Sequence, residues 1–219
     1  MHNTVKNLIY IEDLIKSKVN DLNNYKLPKI IAVSKTFSID RILPLVEYGH
    51  IDYGENKVQE ALDKWTEVKL KNTTIKLHLI GRLQTNKVKF ALRIFDYIHS
   101  LDSEKLANKI ANEQVKQDKK IKIFIQINIG NEDQKSGITK NNIIEFYEYC
   151  KKLNLDVIGT MCIPPKEGIA QIYFTEMNKI NKELNLLELS MGMSEDYIEA
   201  IKNHSTFIRI GSKIFGKRN

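Results

Sequence analysis

Lys29-Ile30-Ile31-Ala32-Val33-Ser34 is the stretch on which the fold turns. Between its two polar ends it is apolar at every position, and it is too short for a helix of its own. A strand with one wet face alternates polar and apolar residues. A strand that is apolar throughout is covered on both faces, as in parallel sheets wrapped by helices. The turn that follows, Ser34-Lys35-Thr36-Phe37, contains no glycine. An open doubly wound sheet would place a glycine-rich turn there, so a closed barrel is the better expectation.

The pattern repeats outward from this strand. Before it, Leu8, Ile11, Ile15 and Val19 share one face of a helix over residues 5–19. After it, Ser38 stands where an N-cap belongs, for a helix through Ile42, Leu45 and Val46 that Gly49 closes. Short strands are expected at 51–53, 76–80, 97–101, 122–129, 156–161, 187–190 and 207–210. Helices are expected at 57–68, 85–92, 141–153 and 170–184. Two more follow Ser103, through Leu106 and Ile110, and Ser194, through Ile201. In the 122–129 strand Ile123, Ile125 and Ile127 face one way and Phe124 the other. Eight strands alternating with helices, after one extra N-terminal helix, describe an α/β protein: a single (β/α)8 TIM barrel, one domain over residues 1–219.

Composition removes several function classes. The net charge of +7 comes from lysines spread along helical segments and interleaved with acids and asparagines. No basic arm, zinc-finger spacing or RNA-binding motif accompanies them, so nucleic acid is not an expected partner. No apolar run reaches the ~20 residues of a membrane span, and the N-terminus lacks the pattern of a secretory signal. Cys150 and Cys162 form no CxxC pair and read as reduced, packed thiols of a cytoplasmic protein. No metal site is expected.

In such barrels, chemistry collects where strands end and the following loops begin. Those positions hold Lys35, Gly54-Glu55-Asn56, His78 with Gly81-Arg82, Asp102, Asn128, Met161, Ser190 to Ser194, and Arg209 to Ser212. Lys35 follows a buried run, in a mouth shared with Arg209. Desolvation and a second cation both lower an amine pKa, which imine formation with an aldehyde requires. An ordinary solvated lysine and an aldolase-type Schiff-base enzyme fit the same features. Gly211 and Ser212 open a short final helix beside the last two strands, where these barrels commonly bind phosphate. Ser194 adds a hydroxyl and a second helix N-terminus. Arg209 should point into the mouth and needs a partner. Glu55 or Glu188 could pair with it, or it could donate to the pyridine nitrogen of a pyridoxal 5′-phosphate (PLP) ring.

Longer motifs carry a resemblance. They are Val33-Ser34-Lys35-Thr36, Gly54-Glu55-Asn56 with Val58-Gln59-Glu60, His78-Leu79-Ile80-Gly81 with Gln84-Thr85-Asn86-Lys87, and Asn128-Ile129-Gly130 with Gln134-Lys135-Ser136-Gly137. To these are added Leu189-Ser190-Met191-Gly192-Met193-Ser194 and Arg209-Ile210-Gly211 with Ile214-Phe215-Gly216. From about Ile30 to Lys217 the chain resembles the pyridoxal phosphate homeostasis proteins, single-domain relatives of the alanine racemase barrel. The resemblance implies PLP held as a Schiff base on Lys35, Arg209 at the pyridine nitrogen, and Ser194, Gly211 and Ser212 around the phosphate. It implies that Asn56, His78 and Met191 line the pocket.

The resemblance further implies a monomeric carrier that supplies PLP to apo-enzymes without turnover of its own. A racemase-like PLP enzyme is the competing reading. Racemases draw an opposing tyrosine from a second domain, and this chain ends at Asn219, soon after its eighth strand. Arg82, where a histidine is common in the family, and Pro164-Pro165 after the sixth strand are departures that touch no implied cofactor ligand. His2, His50, His99 and His204 match no motif and read as surface or packing residues.

Overall fold

The computed structural model describes residues 1–19 and 27–217; Asn219 lies outside them. The first helix, α1 (Asn3–Val19), precedes the barrel. The strands are β1 (Lys29–Val33), β2 (Asp52–Glu55), β3 (Lys76–Leu79), β4 (Tyr97–Leu101), β5 (Lys122–Ile127), β6 (Asp156–Cys162), β7 (Glu188–Ser190) and β8 (Phe207–Ile210). The helices between them are α2 (Ile39–Tyr48), α3 (Val58–Lys71), α4 (Val88–Ile94), α5 (Glu104–Gln117), α6 (Ile143–Lys152), α7 (Ala170–Glu183) and α8 (Tyr197–Lys202), with α9 (Ser212–Phe215) after β8. All strands pair in parallel in chain order, and β8 returns to β1 with Ile31 opposite Arg209, closing the barrel.

Strand parity sorts the side chains into two cores. Ile31, Val33, Tyr97, Phe124, Met161 and Phe207 form one apolar cluster, drawn from β1, β4, β5, β6 and β8, that fills the barrel. Residues of opposite parity, such as Ile30, Ala32, Tyr53, Leu79, Ile123, Ile125 and Ile127, join the larger core between barrel and helices. Phe124 therefore does oppose the three isoleucines of β5. The extra helix α1 buries Val5, Leu8, Ile11, Ile15 and Val19, and Asn7 Nδ2 donates to the Ile214 carbonyl of α9 at 2.9 Å.

The ends of elements follow local chemistry. Gly49 closes α2 in the left-handed conformation at φ 99°. Ser103 accepts from the Leu106 amide at the start of α5. Ser38 occupies the N-cap position of α2 without making the side-chain bond. The helices expected at 85 and 141 each begin with a 3-10 turn. Ser194 is not a cap. The Asp196 and Tyr197 amides both donate to the Met193 carbonyl, and Asp196 Oδ1 accepts from the Met193 amide at 2.6 Å. This closed turn consumes residues 193–196, so α8 starts at Tyr197 with Asp196 in the cap position.

Candidate functional site

A cavity of about 280 Å³ opens at the C-terminal ends of the strands. Lys35, Asn56, Ser194, Arg209, Gly211 and Ser212 all line it, with Val33 and Ile80 as apolar walls and Ile163, Met193, Glu195 and Asp196 completing the lining. Six of the eight residues singled out from the sequence thus meet in one place. The other two do not line it. His78 faces inward two residues below Ile80, one layer deeper in the barrel, and is fully buried. Met191 follows the inward-facing Ser190, so its parity turns it outward into the core beneath the helices.

The loop carrying Lys35 is pinned from behind. Glu55 is fully buried, and its Oε1 accepts from Ser34 Oγ (2.7 Å), Lys64 Nζ (2.9 Å) and Trp65 Nε1 (2.9 Å). Lys64 also donates to the Ser34 carbonyl and to Glu60 Oε1, both at 3.0 Å. Glu60 Oε1 in turn accepts from the Thr36 amide at 2.6 Å. Thr36 has φ 68°, a conformation costly for a β-branched residue that persists only where surroundings enforce it. Of the neighbours of Lys35, Ser34 is therefore tied to both α3 and β2, and Thr36 to α3. Burial pushes the Glu60 carboxyl up, but the Thr36 amide and Lys64 outweigh it and hold the group below its ordinary value.

Asn56 is set by a close approach. A Cβ on Gly81 would lie 2.4 Å from the Asn56 carbonyl oxygen, so only glycine lets the loop after β3 rest against the loop after β2. At Gly211 a Cβ would meet Val33 at 3.3 Å, a tight but less severe contact. Gly211 is the N-cap of α9, and the first amides of a helix have no acceptor within it. They supply donors on the side of the cavity where Ser194 and Ser212 place hydroxyls.

Arg209 is almost wholly buried, and no carboxylate pairs with it among the described residues. Glu55 faces away from the barrel interior, toward α3, and Glu188 lines the opposite mouth with Lys29 and Lys122. The guanidinium instead donates Nη1 to Ser190 Oγ (2.7 Å) and Nη2 to the Cys162 carbonyl (2.8 Å). Burial pulls its pKa below the ordinary arginine value. Ser190 touches His99 Nδ1 at 2.9 Å, His99 Nε2 touches His78 Nδ1 at 3.0 Å, and His78 Nε2 touches Asp52 Oδ1 at 3.0 Å. His99 is thus neither a surface residue nor mere packing. It is fully buried, bonded at both ring nitrogens, and stacked on Phe124 at 4.2 Å. Burial lowers the pKa of both imidazoles, His99 well below its ordinary value, and Asp52 partly offsets the effect at His78. A signal for this was present. His78 and His99 have inward parity on adjacent strands, with β3 and β4 paired at His78 and Tyr97.

Among the described residues no group of three or more His, Cys, Asp or Glu could hold a metal ion. No described helix is long and apolar enough to cross a membrane.

Comparison with known proteins agrees with this architecture. The family model for the alanine racemase N-terminal domain matches residues 13–219. A pyridoxal phosphate homeostasis protein of Aquifex aeolicus is 38% identical over 200 residues, covering 87% of each chain. One of Haemophilus influenzae is 34% identical over 233 residues, covering 99% of this chain and 97% of its own. Among solved structures, PipY of Synechococcus elongatus with PLP bound is 30% identical at a TM-score of 0.79, covering 92% of this chain and 100% of that one. The chain belongs to the alanine racemase N-terminal domain family and, within it, to the pyridoxal phosphate homeostasis proteins.

Proposed function

We propose that this protein binds PLP in the cavity at the C-terminal mouth, as a Schiff base on Lys35, and serves the supply of that cofactor rather than a reaction of its own. The observation that carries the reading is the donor set of that one cavity: the Lys35 amine, the Arg209 guanidinium, and the hydroxyls of Ser194 and Ser212 beside the start of α9. These residues fit the group. An amine suits its aldehyde, hydroxyls and helix-start amides suit its phosphate, and a donor-only guanidinium suits an unprotonated ring nitrogen. The group would supply an electrophilic carbon, carried as the imine to Lys35 rather than as the free aldehyde.

Each residue then has a defined task. Lys35, held between two pinned neighbours, presents its amine. Ser194, Gly211 and Ser212 hold the phosphate, and Asn56 and Val33 wall the pocket. Arg209 donates to the ring nitrogen without giving up a proton, which keeps the ring a poor electron sink. Among the described lining residues there is no tyrosine to serve as a second proton donor opposite Lys35. Both features favour carriage over turnover. The protein acts as a cytoplasmic monomer, one domain throughout, handing PLP to apo-enzymes, with no part for nucleic acid or membrane.

Borohydride reduction of the PLP-loaded protein followed by peptide mass spectrometry tests the reading. The adduct is expected on Lys35, and Lys35→Ala should lose the imine absorbance band. An adduct mainly on another lysine, such as Lys135, would overturn it. In the structure Lys135 already bonds the Pro164 carbonyl and Glu132.

A further inference from the structure

The geometry points to Ser190, His99, His78 and Asp52 as positioning residues for Arg209, joined in a hydrogen-bond chain whose donors all point one way, from the cavity floor to the far end of the barrel. Proton counting sets the direction. A carboxylate only accepts, so Asp52 Oδ1 receives the proton of His78 Nε2. A neutral His78 then presents Nδ1 as an acceptor, and His99 Nε2 must donate to it. A neutral His99 presents Nδ1 as an acceptor in turn, and Ser190 donates its hydroxyl proton there. The Ser190 oxygen is left to accept from Arg209 Nη1, which can only donate. Each link leaves one arrangement for the next. Both imidazoles are fixed as the Nε2–H tautomer, and Ser190 is fixed as an acceptor toward the guanidinium.

Burial makes the chain consequential. His78, His99 and Ser190 have essentially no exposed surface, so water cannot replace a missing partner. His78 is stacked on Tyr97 and His99 on Phe124, each at 4.2 Å, which fixes both ring planes. Arg209 is held from two sides, by Ser190 and by the Cys162 carbonyl. The remaining N–H groups of a fork so held keep a constant direction, and Arg209 lines the cavity. The chain therefore aims the guanidinium at the ring nitrogen before any ligand arrives. It also sets positive charge at the mouth against negative charge at Asp52 with only neutral groups between. That the target is a ring nitrogen rests on the functional reading above; the chain itself does not.

The test begins on the cofactor-free protein. Long-range proton–nitrogen NMR correlation with 15N-histidine should show His78 and His99 both as neutral Nε2–H tautomers at neutral pH. Arg209 guanidinium resonances should show hindered rotation in wild type and freer rotation in Ser190→Ala, with Ser190→Thr restoring the hindrance through its hydroxyl. A doubly protonated His78, or an Nδ1–H tautomer at either ring, would overturn the chain's direction. Unhindered Arg209 in wild type, or unchanged hindrance in a folded Ser190→Ala, would overturn the positioning role. PLP is then added. Ser190→Ala should weaken its retention about tenfold, and Ser190→Thr should recover most of that. Intact tautomers and hindered Arg209 in a wild type that fails to bind PLP at Lys35 would sink the functional reading while supporting the chain.

Discussion

The buried imidazoles make stability depend on pH in a defined window, and His99→Gln is the perturbation that isolates it. His99 keeps its neutral form in the fold because burial lowers its pKa well below the ordinary 6.5, with His78 and Arg209 adding to the effect. The unfolded chain protonates this group near the ordinary value, so below it the unfolded state binds more protons and stability falls as pH falls. At a pH of about 5.5, one unit below that value, the loss from His99 alone is about 1.4 kcal/mol. His78 and His50, also lowered by burial, add to the wild-type slope. At His78 the charges facing the ring are Asp52 and Asp96, which raise its pKa, and Lys29, which lowers it. Glu60 does not confuse the window, because a carboxyl held below its ordinary 4.5 loses its stabilising effect only at more acid pH. Urea unfolding of wild type and His99→Gln should be compared at roughly pH 7.5, 6.5 and 5.5. Glutamine keeps a donor and an acceptor but does not titrate. The variant is expected to start less stable and to lose about 1.4 kcal/mol less than wild type over that range. Equal losses in both proteins would refute the reasoning, since His99 would then be protonated in the fold or exposed to water.

Other substitutions probe the site directly. Lys64→Met removes the cation from the fully buried Glu55 and leaves that carboxylate with only Ser34 and Trp65; chemical denaturation should show a loss of about 3–5 kcal/mol. Gly81→Ala puts a methyl 2.4 Å from the Asn56 carbonyl, so PLP retention should drop and melting should reveal a cost of about 1–3 kcal/mol. Ser194→Ala removes a charge-assisted hydrogen bond of about 1.5–3 kcal/mol. Dialysis should show at least about a tenfold faster loss of PLP, while pyridoxal, which lacks the phosphate, is little affected. Gly211→Val should impair PLP binding more, because even a bare Cβ there already crowds Val33.

Much of this protein is legible in one dimension because its determinants are local. A strand covered on both faces favours an unbroken apolar run, and Ile30 to Val33 announces that without reference to anything distant. Gly49 needs only its own backbone to end α2. Lys35, Asn56, Ser194, Arg209, Gly211 and Ser212 were legible as a group because a parallel barrel sends every strand end to one mouth, so adjacency follows from topology alone. What needed tertiary structure was the destination of each polar atom. Ser194 carries the composition of a cap, yet the Met193–Asp196 turn, closed by Asp196, moved the helix start past it. His78 has the right parity for the pocket but sits one layer too deep, a matter of strand stagger that no single strand records. His99 shows its inward parity in the sequence but not its role, because a hydrogen-bonded buried histidine differs from a packing one only by the partners that reach it. Those partners, His78 and Ser190, lie 21 and 91 residues away in sequence and within 3.0 Å in space.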